Sequence, residues 1–153
     1  MSEKDDPMHL LPATTHSYLF RATESLSEAI VADDVPSRYA MAHVAALQAA
    51  AALIAARTDP VEAASRAGRR RPWNAWVRLK KVAPELSEWA DYFAAGAAKR
   101  AAAEAGSIRA VTAEEADDQV RDADRFLAVV EESLGLMAHT SHVTRPRHDR
   151  LVG

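Results

Sequence analysis

The chain has 153 residues and a mass of 16.6 kDa, which suits one domain. It holds 34 alanines, five glycines, seven prolines and no cysteine, which argues against a β-sandwich, a collagen-like or disordered chain, and excludes a disulfide framework and every thiolate metal site. The net charge of −3 conceals segregation: residues 63–83 carry seven basic residues and no acid, whereas residues 107–135 carry eight acids against three arginines.

Residues 1–13 show no periodicity and are expected to be a flexible N-terminus. The acidic stretch Met1 to Pro7 does not resemble a secretory signal, and no run of about 18 purely apolar residues suggests a membrane span. A cytoplasmic helical domain over residues 14–135 is the expectation, followed by a flexible basic tail over 136–153.

A first helix is predicted from about Thr15 to Ala32, with Leu19, Ala22, Leu26, Ala29 and Ile30 on one stripe. Asp33, Asp34 and Pro36 then supply a break with helix-start chemistry. The second helix, Pro36 to Arg57, is apolar on two faces. Ala40, Val44, Leu47, Ala51 and Ile54 form one stripe, and Ala42, Ala45, Ala49, Ala52 and Ala56 form the other. Such a helix belongs in the middle of a bundle or between subunits, because an all-alanine face lets another backbone come close.

Thr58, Asp59 and Pro60 end that helix, and the basic segment follows. A short helix is predicted from Pro72 to Val82, with Trp73, Trp76 and Val77 at i, i+3, i+4 spacing. Pro84 opens a third long helix that runs to Gly106, with Leu86, Trp89, Phe93 and Ala97 as its stripe. Thr112 and Glu115 form a T-x-x-E capping box. The helix behind it carries Ala116, Val120, Ala123, Leu127, Val130 and Leu134 on one face, up to Gly135. Four long helices with short turns and one longer basic connection predict an all-α, up-down bundle of four or five helices.

Candidate chemistry is sparse. No Glu-x-x-His pair, phosphate-binding glycine loop or nucleophile elbow occurs, and no metal or other cofactor is expected. His16, His43 and His139 are three scattered imidazoles that would have to converge from different helices to hold a metal. The remaining constellation is Arg38 and His43, an R-x4-H spacing at the start of the second helix. Arginine can fork onto a phosphate, and histidine can exchange a proton near neutrality. Together they suffice in principle for metal-independent RNA cleavage. Against this, the two positions stand about 140° apart on a helix, so they share a site only if Arg38 lies in the first turn or the pair works across a dimer. A second candidate surface is the basic segment. Arg69, Arg70, Arg71, Lys80 and Lys81 can follow a phosphate backbone, with Trp73 available for stacking; capping the core is the other role open to the tryptophans.

The segments 38–57, 82–106 and 111–135 resemble the HEPN superfamily, whose helical domains occur in bacterial toxins and antiviral RNases. The second-helix segment, with Gln48-Ala49-Ala50, and the closing helix carry the likeness. The resemblance implies a four- or five-helix HEPN-like bundle, often a homodimer, and in catalytic members an R-x4-6-H motif facing its copy across the dimer. Arg38 and His43 match that motif in residue type, although catalytic members place it near the entry to the last helix, where no suitably spaced histidine follows Arg100 or Arg109. The resemblance thus implies RNA as partner, with an antitoxin-like or other protein partner also open and no membrane. The activity it implies is either metal-independent endoribonuclease or a non-catalytic nucleic-acid-binding or protein-interaction module.

Overall fold

The computed structural model describes residues 11–59, 61 and 74–141, and every regular element among them is helical. These elements are α1 (Ala13–Val31), α2 (Val35–Arg57), α3 (Asn74–Val82), a 3-10 turn (Pro84–Leu86), α4 (Ser87–Ala95), α5 (Ala97–Glu104) and α6 (Ala113–Ser133). The chain is therefore an all-α bundle. Helix α2 is its centre: α1 and α6 lie along it, and α3 and α5 also rest on it.

The start of α2 is built as the sequence indicates. The Asp34 carboxylate accepts from the Ser37 amide at 3.0 Å, with Pro36 in the first turn. That backbone hydrogen bond holds the Asp34 carboxyl below its ordinary pKa.

The burial along α2 distinguishes its two faces. Ala42, Ala46, Ala49, Ala50, Ala52 and Leu53 are fully enclosed, while Val44, Leu47 and Ala51 are less deeply placed. The reason is close approach. The Thr15 hydroxyl on α1 donates to the Ala52 carbonyl at 2.9 Å, so a short side chain spans the gap to the neighbouring backbone. The Ser25 hydroxyl adds a 2.7 Å bond to the Gln48 side chain. Nothing bulkier than a methyl group fits between helices at that separation. The alanine face is thus packed within the chain, and it is not an open surface for a second subunit.

By length and composition α2 could cross a bilayer, with a mean hydropathy of 1.6 over its most apolar window. Neighbouring helices bury 61% of that window, as expected for the central helix of a bundle.

The predicted third long helix is interrupted. A 3-10 turn precedes it, and the backbone breaks at Gly96 between α4 and α5. A Cβ at residue 96 would stand 2.8 Å from the Tyr39 hydroxyl of α2, so a larger residue there would have to displace that tyrosine. The stripe holds in part: Leu86 and Phe93 are buried, joined by Ala90, with Trp89 packed at the edge.

The last helix matches its predicted face. Ala116, Val120, Ala123, Leu127, Val130 and Leu134 are all buried, together with Phe126. Its capping box is complete, with the Thr112 hydroxyl accepting from the Glu115 amide and the Glu115 carboxylate accepting from the Thr112 amide, each at 3.0 Å. Gly106 and Gly135 take positive φ angles of 86° and 80° and close α5 and α6. In both, the amide after the glycine returns to the carbonyl five residues earlier: Ser107 to Ala102 at 3.1 Å, and Leu136 to Glu131 at 2.9 Å. Residues 1–10 and 142–153, most of the two expected flexible termini, lie outside the described residues.

The core has an aromatic centre. Trp76 of α3 stacks on Phe93 at 5.1 Å between centroids, Trp89 stacks on Phe93 at 6.0 Å, and Phe126 of α6 packs against all three. Trp76 is therefore a core residue.

Candidate functional site

Arg38 and His43 occupy different environments. Arg38, in the first turns of α2, forms a 2.9 Å ion pair with Asp117 on α6 and donates to the Ala32 carbonyl at 3.2 Å. The second bond ties the end of α1 to the start of α2. Its guanidinium holds two helix junctions together, and its buried Nε has no partner among the described residues.

One and a half turns later the helix faces inward. The His43 ring is only 1% exposed and sits edge-on to Trp76 and Phe93, with centroids 5.9 Å away in each case. Gln119 of α6 places its amide nitrogen 3.4 Å from Nδ1 of His43. An amide N–H can approach that nitrogen only when it carries no proton. Burial, reinforced by the positive charge of Arg100, pushes the His43 pKa down to about 4. The ring is therefore a neutral imidazole in an aromatic cage. It shares no hydrogen-bond partner with Arg38 among the described residues.

The polar path leads from His43 to the surface through residues that sequence reasoning did not single out. The Tyr92 hydroxyl donates to Asp122 at 2.5 Å and lies 3.3 Å from the Gln119 carbonyl oxygen. Burial and then the Asp122 carboxylate raise the Tyr92 pKa, because both penalise the phenolate. Tyr39 is likewise raised by its burial. Lys99 pairs with Glu115 at 2.6 Å; the hydrogen bond raises the amine and lowers the carboxyl. None of this is signalled by a motif. The contacts join residues 16 to 76 positions apart, and only the fold brings them together.

The basic surface is described only in part. Lys81, at the end of α3, is exposed, and Lys80 makes a 2.8 Å ion pair with Asp91 of α4 in solvent. Arg69, Arg70, Arg71 and Trp73 lie outside the described residues. Among the described residues no group of three or more His, Asp or Glu side chains is placed to hold a metal ion. His43 is confined to the core, and His139 is held by carboxylates of α6.

Comparison with curated proteins and with solved structures gives no match. A family profile, the SAV_6107-like HEPN domain, matches residues 29–131. The matched stretch runs from the end of α1 almost to the end of α6 and includes the central helix, the aromatic centre and the polar path from His43. The chain therefore belongs to the HEPN superfamily, in its SAV_6107-like branch.

Proposed function

We propose that this chain is a nucleic-acid-binding HEPN module that holds RNA without cutting it. The carrying observation is the charge pattern: seven basic residues without an acid over residues 63–83, leading into α3, whose Lys81 is exposed to solvent. Arg69, Arg70, Arg71, Lys80 and Lys81 follow the phosphates, and Trp73 stacks on a base. The Lys80–Asp91 pair does not oppose this, since a solvent-exposed ion pair is weak and exchanges readily for a phosphate.

The non-catalytic part of the reading rests on His43. A general acid or base has to reach its substrate and change protonation near the working pH. A caged ring with a pKa of about 4 does neither. Arg38 and His43 serve the fold instead, one as a clamp between helices and the other as the polar member of the aromatic centre.

Fluorescence anisotropy with a labelled single-stranded RNA tests the proposal. Five phosphate contacts to a single strand give a log–log salt slope of about −3.5, so a fourfold rise in salt weakens binding about a hundredfold. Lys81→Glu, at an exposed position, should weaken binding and flatten that slope. Absence of binding at the lowest salt, or binding indifferent to salt, refutes the proposal.

A further inference from the structure

The Gly135 turn decides where the chain goes after α6. Its positive φ and the Leu136-to-Glu131 bond turn the backbone across the end of the helix, and Leu136 packs on the core. The next few residues are thereby brought over the face of α6 that carries Asp124 and Glu131. These two acids are seven residues apart and so lie on one side of the helix.

His139 lands between them. Its backbone amide donates to Oε1 of Glu131 at 2.9 Å, its ring Nδ1 is 2.6 Å from the same oxygen, and its ring Nε2 is 2.9 Å from Oδ1 of Asp124. The Ser141 hydroxyl donates to the other Asp124 oxygen at 2.8 Å. The site is sheltered: the side chains of His139, Asp124 and Glu131 are 14%, 9% and 15% exposed.

We propose that His139 is a pH-operated clasp: as an imidazolium it fastens residues 136–141 to α6, and as a neutral ring it lets them go. The chemistry lies in the count of protons. An imidazolium donates from both nitrogens and satisfies both carboxylates, whereas a neutral ring has one N–H and leaves one carboxylate facing a lone pair.

Among the described residues, the carboxylates of Glu131 and Asp124 act on the ring. Burial lowers its pKa, but the hydrogen bonds to these two acids outweigh burial and leave it raised. Of the helices packed on α6, α1 carries His16, Arg21, Glu24 and Glu28, and Arg21 lies over the Tyr18 ring. On α2, Arg38 and Arg57 are engaged by Asp117 and Glu85. The clasp is therefore fully formed below the ordinary histidine pKa of about 6.5 and opens as the pH rises through the raised value.

The experiment uses the full chain and NMR. The His139 ring titration is followed together with heteronuclear NOEs of residues 136–141, between about pH 5.5 and 8.5. The expected result is a ring midpoint above the ordinary value, with NOEs typical of rigid backbone at the acid end that fall with the same midpoint. Glu131→Gln should lower the ring midpoint, and in His139→Gln the segment should be mobile at both ends of the range. A ring midpoint at or below the ordinary value overturns the proposal. So do NOEs that ignore pH in the parent chain, or an unchanged pH response in His139→Gln.

Discussion

Lowering the pH should destabilise this protein through His43, and the size of the effect follows from its cage. In the unfolded chain the ring titrates near its ordinary value of about 6.5, whereas in the fold its pKa is about 4. Between these values the unfolded state binds the proton and the native state does not, so stability falls as the pH falls. The shift is worth at most about 3 kcal/mol, and linkage gives about 2 kcal/mol between pH 7 and pH 5. For a domain of this size that is about 4–8 °C in Tm. The assay is urea unfolding at both pH values for the parent chain and His43→Phe, read by tryptophan fluorescence, since Trp76 contacts the ring. Comparing the two pH differences cancels other groups, including His139, whose raised pKa acts in the opposite direction. His43→Phe need not match the parent in absolute stability, because Gln119 loses its ring partner; only its pH dependence matters. Equal pH dependence in the two proteins would refute the neutral, caged histidine.

Two further substitutions test the packing. Gly96→Ala should destabilise by about 1 kcal/mol, as the clash with Tyr39 outweighs alanine's better helix propensity. In a Tyr39→Phe background the same change should be neutral or stabilising, and a double-mutant cycle with no coupling would contradict the contact. Ala49→Leu should cost about 1–3 kcal/mol by overpacking the fully enclosed side of α2, with no change in oligomeric size. Loss of an oligomer at unchanged melting temperature would instead place that face between subunits.

The ends and faces of the helices were legible in the sequence where the signals are local. The Thr112–Glu115 box, the Asp34 cap and the two C-terminal glycines depend on neighbours a few residues away, and each forms as its chemistry requires. The face of α6 was also legible, because its large apolar residues repeat in a single stripe. The faces of α2 were harder to rank. Both stripes are apolar, so composition does not rank them, and the packed structure buries the alanines more deeply than Val44 and Leu47. The break falls at Gly96, where Tyr39, 57 positions earlier, lies against the backbone, and one glycine in an alanine-rich stretch gives no warning of that contact.

The candidate site was legible as residue types only. The R-x4-H spacing identified Arg38 and His43, but their partners Asp117 and Gln119 come from another helix. For His139 a usable local signal existed. Gly135 reverses the chain beside a helix face bearing Asp124 and Glu131, which makes an ordered segment readable where a tail was expected.

The most direct test of RNA binding without cleavage is to incubate the purified chain, in EDTA, with end-labelled single-stranded RNA, and to assay binding and cleavage together at low salt. The predicted result is RNA that is bound and intact, with Arg38→Ala behaving as the parent does. Metal-independent cleavage that disappears in Arg38→Ala would contradict it, as would RNA left unbound.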